Sequence, residues 1–300
     1  MKIPLNWLSK YIKLEHTPKE FGDIITKLGF MQDGPIQEID GDNVIDFDAK
    51  SNRPDILSVI GVAREYAAYV DKPVKYPEAV KELTVEWREP SKNLSVQAKD
   101  VVKRFCTVEI ENVKIAPSPD WMVKDLESYG VPSINNIVDI TNYVMLEYGF
   151  PLHTFDRDKL AKDKKSALLT LRKATEGEIF ETWQETKIEL TKEDLVVADA
   201  EKPVAIGGII GGANSDIDNS TKNIILESAV YDQASIRRSA LKHNLKTEAS
   251  ARHEKFLNPN MVEVAIRRAL YLINELAKGK IVKIEDFYEK PEEPTIIEFN

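Results

Sequence analysis

Cysteine is all but missing from this chain. With Cys106 alone no internal disulfide can form, so the core must hold the fold, in what reads as a reducing, cytoplasmic setting. Long apolar runs are missing too: Val204–Ala213, the most apolar stretch, is about half of the ~20 residues a bilayer span needs and carries four glycines. The N-terminal Met-Lys-Ile-Pro-Leu-Asn-Trp has neither the apolar core nor the small-residue cleavage site of a signal peptide. Basic excess is lacking, since 41 Lys and Arg face 50 Asp and Glu, a net charge of −9. That argues against broad electrostatic capture of nucleic acid, because affinity for a phosphate backbone comes mainly from Lys and Arg. Internal repeats, low-complexity tracts, a Walker or dinucleotide glycine spacing, G-x-S-x-G and metal-ligand spacing are also absent.

What is present is globular. At 42% hydrophobic and 30% charged residues the chain is too apolar for disorder and too charged for a membrane protein. Three hundred residues exceed one ordinary core, which predicts two domains.

The first segment reads as a small helical module: a stripe of Leu5, Leu8 and Ile12, then a capping box at Thr17-Pro18-Lys19-Glu20 opening a helix to Gly29. A third helix starts near Asp55 on the face Ile56, Val59, Ile60, Ala63 and Ala67, with a short strand at 43–47 between. Residues 75–93 form the linker, in which Leu83, Val85 and Trp87 suit an entering strand. Beyond it, strands are expected at 104–115, 168–172, 195–198, 204–210 and 224–229, and helices at 120–130, 233–243 and 261–278. The lack of regular alternation predicts α+β.

Residues 132–156 are the most informative. Ile137, Ile140, Val144 and Tyr148 recur on one helical face, ended by Gly149 and Pro151. Asn135, Asn136, Asp139, Thr141 and Asn142 break it, and short polar side chains compete with the helix backbone for hydrogen bonds. They are best explained as pocket lining.

Other residues carry two readings each. Gly207, Gly208, Gly211 and Gly212 permit close backbone approach and, for the same reason, can border a ligand. His153 follows Pro151 in the loop after the helix, with no other His or Cys nearby, and taken alone reads as structural. Glu227 lies in an apolar strand, where a carboxylate is costly unless paired, for instance with Arg237 or Arg252, or used to accept a ligand hydroxyl. Thr247 suits a helix N-cap.

The segment SINNIVDITNYVMLEYGFPLHTFD resembles the B3/B4 editing domain in the N-terminal part of bacterial phenylalanyl-tRNA synthetase beta subunits. Further blocks follow in order: Asn52-Arg-Pro-Asp55 with 61–65, Pro117-Ser-Pro119 with Trp121, 205–212, 226–229, and 247–250 with Arg252. The resemblance implies a winged-helix-like module over 1–76, an editing domain over 77–290 and the start of a truncated further module at 291–300. The oligonucleotide-binding barrel that interrupts the first module in many relatives has no room in the roughly twenty residues between Gly29 and Asn52.

For function, the resemblance implies hydrolysis of mischarged Tyr-tRNA(Phe) within a phenylalanine-tRNA ligase. A non-catalytic assembly or tRNA-positioning scaffold is the alternative. The implied partners are the synthetase alpha subunit, in a heterotetramer, and tRNA(Phe). ATP and Mg belong to the whole synthetase, and no metal or cofactor is expected in this chain. Carried over by position, Thr141, Asn142 and His153 are the catalytic candidates, while Glu227, His153, Gly211, Gly212, Thr247 and Ala249 bind the substrate.

Overall fold

The computed structural model describes residues 1–83, 85–90, 94–162, 168–293 and 296–299. At the N-terminus, β1 (Lys2–Pro4) leads into a single turn, α1 (Leu5–Leu8). The expected stripe therefore stops early, although Ile12 is still buried. The capping box is present: Thr17 opens α2 (Pro18–Lys27), its hydroxyl accepting from Glu20 N while the Glu20 side chain accepts from Thr17 N. Then come β2 (Met31–Gln32), β3 (Gln37–Ile39) and β4 (Asp42–Asp48). β4 pairs antiparallel with β1, β2 and β3, so the segment is built on a four-stranded sheet rather than on helices alone. The helix expected at Asp55 begins with a 3-10 turn at Pro54–Ile56, and α3 (Val59–Val70) starts only after the Ser58 cap.

The middle of the chain supplies β5 (Trp87–Arg88), β6 (Leu94–Val96), β7 (Val102–Glu111), α4 (Asp120–Tyr129), α5 (Asn136–Tyr148) and β8 (Leu152–Asp156). Within the expected linker, Trp87 does enter a strand, whereas Thr84 and residues 91–93 lie outside the described residues. Next are β9 (Leu169–Lys173), the hairpin β10 (Ile179–Glu181) and β11 (Lys187–Glu189), β12 (Leu195–Ala198), β13 (Pro203–Ile206) and β14 (Ile210–Gly211). The strand expected at 204–210 is thus split by a turn, with Gly208 at φ +69°. The chain continues with β15 (Ile224–Tyr231), α6 (Gln233–Lys242), α7 (Glu248–His253), α8 (Met261–Ala277) and β16 (Lys280–Phe287). Of the further module expected at 291–300, Pro294, Thr295 and Asn300 lie outside the described residues, while Ile296, Ile297 and Phe299 are exposed.

Two five-stranded sheets organise this larger part, in the orders β5-β16-β7-β15-β8 and β14-β13-β12-β9-β6. Alternation along β15 decides what each face meets. Ile224, Leu226 and Val230 join the apolar cluster built with α5 and α8. Ile225, Ala229 and Tyr231 join the second cluster, which holds Leu171, Val196 and Ile206 of the other sheet. Glu227 shares that second face, so its carboxylate is carried into the layer between the two sheets.

The N-terminal segment shares the first cluster, which includes Trp7, Phe21 and Tyr66 as well as Ile140 and Ile266. Trp7 stacks on Tyr143 of α5 with ring centroids 4.5 Å apart. The Tyr11 hydroxyl donates to Glu147 at 2.5 Å. Arg268 of α8 donates to the same carboxylate at 2.7 and 3.0 Å, and such pairing offsets the cost of burying its charge. Gly149, left-handed at φ +75°, ends α5 so close to the segment entering α3 that an added Cβ would lie 3.2 Å from the Leu57 carbonyl oxygen. Among the described residues no helix is long and apolar enough to cross a membrane.

Candidate functional site

A cavity of about 490 Å³ opens between α5, β8, the β13–β14 turn, β15 and the start of α7. Its walls are mostly apolar, and a few polar groups converge on it, the usual composition of a small-ligand site.

Of the five polar residues on or before α5, three are structural. Asn135 caps the helix, accepting from Ile137 N and Val138 N at 3.1 Å. Asn136 donates to the Lys114 and Leu276 carbonyls. Asp139 accepts from Ser118, Ser133 and Ile134 N. Thr141 and Asn142 remain, and both line the cavity; the Thr141 hydroxyl donates back to Val138 O at 2.7 Å. The pocket-lining expectation therefore holds for two of the five.

His153 sits in β8 and not in a loop, a correction with a consequence: β8 pairs with β15 in the register Glu227↔His153, so both side chains point to one face of the sheet. The imidazole packs edge-on to Phe155 at 4.6 Å between centroids. Burial pulls its pKa down to about 4, so the ring is neutral near pH 7.

Glu227 is 6% exposed. Its partner is neither Arg237 nor Arg252. Arg237 is exposed, while Arg252 pairs with Glu248 and donates to Leu57 O. Instead the Tyr231 hydroxyl donates to Glu227 Oε1 at 2.5 Å. Burial raises the Glu227 pKa to about 7 against the lowering effect of that hydrogen bond. Desolvation of this kind, opposed by one neutral donor, marks functional-site carboxyls.

The glycine turn closes the other wall. A Cβ on Gly211 would lie 2.5 Å from His153 Cε1 and 2.8 Å from Nε2, so the backbone lies flat against the imidazole. Gly212 is different: it does not line the cavity, and its Cβ would point at Phe180 Cε2 and Val204 O. Successive residues of an extended strand face opposite ways, which a doubled glycine in a sequence cannot reveal. Thr247 caps α7, its hydroxyl accepting from Ser250 N and donating to Ile209 O at 2.9 Å. It thereby ties the cap to the glycine turn and lines the cavity together with Ala249.

Sequence reading missed three residues here. Tyr231 carries the signal of sharing the alternate face of β15 with Glu227. His253 also lines the cavity, 4% exposed with Nδ1 lacking a partner among the described residues, and its ring lies 5.2 Å from that of Tyr231. Burial and the Arg252 charge pull its pKa down to about 3. Trp183, 50% exposed at the lining, is held by a bond from its backbone N to Gly211 O at 3.1 Å. Among the described residues no group of three or more His, Cys, Asp or Glu could hold a metal ion.

A largely apolar chamber with a buried carboxyl, two neutral imidazoles, threonine hydroxyls and an amide suits an amphiphilic ligand whose polar end needs hydrogen bonds. Two five-stranded sheets with helices packed against both apolar clusters, and this chamber at their junction, form a mixed α+β domain. The chain belongs to the B3/4 domain family, whose profile matches residues 101–278.

More particularly, it is similar to phenylalanine--tRNA ligase beta subunits. It is 44% identical over 268 residues to that of Clostridium acetobutylicum, covering 88% of this chain and 33% of the relative. For Streptococcus thermophilus the identity is 40% over 271 residues (88% and 33%), and for Geobacter metallireducens 42% over 252 residues (83% and 31%). The chain thus spans about a third of the length of the curated relatives it matches. An N-terminal fragment of the phenylalanyl-tRNA synthetase beta-subunit from Pyrococcus horikoshii matches over 95% of this chain and 75% of that one, at 16% identity and a TM-score of 0.43, too low to support detail.

Proposed function

We propose that this chain is the editing part of a phenylalanine-tRNA ligase beta subunit and that its cavity hydrolyses Tyr-tRNA(Phe). The observation that carries the proposal is the cross-strand pair of Glu227 and His153 in an apolar cavity, with the Gly211 backbone against the imidazole. A synthetic site that binds phenylalanine in an apolar pocket rejects an isostere bearing one extra hydroxyl by only about a hundredfold, so tyrosine leaks through. A second site that hydrogen-bonds the phenol discriminates by about four to five powers of ten, because phenylalanine leaves its buried polar groups unpaired.

In this reading Glu227 accepts a hydrogen bond from the phenol and His153, neutral at pH 7, donates one to the phenol oxygen. Thr141, Asn142 and the backbone at Gly211 hold the ester and a water, with Thr247 and Ala249 shaping the wall. The water attacks the ester carbonyl, and the bond between the acyl carbon and the ribose oxygen breaks. Tyrosine leaves as the free acid while the ribose hydroxyl regains a proton. An ester is already activated, so a positioned water and donors for the developing oxyanion suffice without a nucleophilic triad.

In the whole enzyme the partners are the alpha subunit, in a heterotetramer, and tRNA(Phe), with ATP and Mg at the synthetic site. The test is deacylation of Tyr-tRNA(Phe) by this chain at high protein concentration. Release of tyrosine above the spontaneous rate is expected. A rate at background leaves the non-catalytic scaffold as the reading.

A further inference from the structure

One group at the cavity's edge has no part in that scheme. Tyr231 follows Glu227 by four residues on β15, and the register with β7 slips between Val230 and Tyr231. Four strand residues span roughly 13 Å, so only two long side chains leaning toward each other can meet. They do meet, hydroxyl to Oε1 at 2.5 Å, with both residues buried. No hydrogen bond to the other oxygen, Oε2, is found among the described residues, and Glu227 lines the cavity.

We propose that Tyr231 is a positioning residue that sets the specificity of this site: its phenol claims one oxygen of Glu227, holds the carboxylate in its accepting form and leaves the other oxygen for a substrate hydroxyl. This rests on the editing reading for the identity of that hydroxyl, but not for the control of Glu227.

The surroundings leave this task to Tyr231. From β8, Glu227 faces His153, and from β7 it faces Thr107. Farther along that face, Glu109 of β7 pairs with Arg157 and Glu285 of β16 with Lys283. From α7, His253 lines the cavity beside Tyr231, while Glu248 pairs with Arg252. Asp216, also at the lining, lies near Lys159. Burial holds both histidines neutral near pH 7, and no cation is paired with Glu227 among the described residues. The phenol is then what opposes the effect of burial on this carboxyl.

The chemistry follows from the count of donors and acceptors. An ionised carboxylate only accepts, so it selects a ligand that donates, such as a phenol. A protonated carboxyl also donates, and it is no longer costly to leave unpaired against phenylalanine. Without the Tyr231 hydroxyl, Glu227 stays protonated to higher pH and the selection relaxes.

The experiment uses the full chain as wild type and Tyr231→Phe, which removes one oxygen and keeps the ring in its place against Phe105 and His253. Carbon-13 NMR of the labelled glutamate carboxyls, with Glu227 assigned through Glu227→Gln, gives its titration midpoint. Deacylation of Tyr- and Phe-tRNA(Phe) is followed over the same pH range. We expect the midpoint to rise by about one unit, with Tyr-ester hydrolysis at pH 7 falling roughly fivefold and recovering at higher pH, while the Phe-ester rate rises as the penalty against it is lifted. An unchanged or lowered midpoint overturns the proposal, as does an equal fall for both esters at every pH, the mark of a structural role. If the wild type cleaves neither ester, the editing reading fails, and the midpoint alone decides whether Tyr231 governs Glu227.

Discussion

Replacing Gly211 by alanine is a small change with a large expected effect. The new Cβ would sit 2.5 Å from His153 Cε1 where ordinary contact begins at 3.4 Å, so ring or turn must give by nearly an ångström. Neither yields freely: the ring packs on Phe155, and the Gly211 carbonyl accepts from Trp183 N. Overpacking of this kind costs typically about 1–3 kcal/mol. A displacement of about 1 Å at a positioned group costs about a hundredfold in rate. Gly211→Ala is therefore expected to lower the melting temperature by several degrees and to slow Tyr-tRNA(Phe) hydrolysis by about two orders of magnitude. Gly207→Ala is the control, since its Cβ meets nothing closer than 3.4 Å and its φ is not left-handed. Melting curves beside deacylation rates check both variants. Wild-type activity in Gly211→Ala would refute the placement of His153 in the reacting geometry.

The remaining predictions are briefer. The cavity's carboxyls and its two neutral imidazoles form no metal-holding group among the described residues, so hydrolysis should survive chelation; activity abolished by chelator and restored by zinc contradicts this. With a net charge of −9, the chain alone should bind tRNA weakly and more weakly as salt rises, and tight, salt-insensitive binding in a titration would overturn that. The Glu227 carboxyl is raised in the fold from 4.5 to about 7. Below pH 4.5 it is protonated whether folded or not and costs nothing. From there to about pH 7 the unfolded state ionises first, so the wild type loses stability as pH rises, up to about 3 kcal/mol. Glu227→Gln should accordingly be stabilised relative to wild type at pH 7.5 and not at pH 4.5, and equal melting shifts at both pH values would contradict the assignment.

The fold class and the longer elements were legible because their signals are local. Thr17 with Glu20, Asn135 before Ile137, and Gly149 before Pro151 each mark a helix end by chemistry confined to one turn. Short strands defeated the same reading. β8 is five residues long and reads Leu-His-Thr-Phe-Asp, without enough alternation to separate it from a loop, although its pairing with β15 places His153 opposite Glu227. In β16 the adjacent Glu285 and Asp286 break the alternation that Ile284 and Phe287 keep against β7. The cavity itself was partly legible. Thr141, Asn142, His153, Gly211, Glu227, Thr247 and Ala249 come together at its wall from five separate stretches of chain, whereas Gly212 turns away. Asn136 and Asp139 look like pocket residues in the sequence because their true partners, such as the Leu276 carbonyl and Ser118, are distant in the chain.

The central claim is that Glu227 reads a tyrosine hydroxyl in a hydrolytic cavity, and the ratio of Tyr-tRNA(Phe) to Phe-tRNA(Phe) deacylation rates in wild type and Glu227→Ala tests it most directly. The account predicts that the variant slows the Tyr ester and narrows the ratio, because no buried carboxylate remains to be left unpaired by phenylalanine. The same ratio in both proteins, at equal folded fraction by melting, would contradict it.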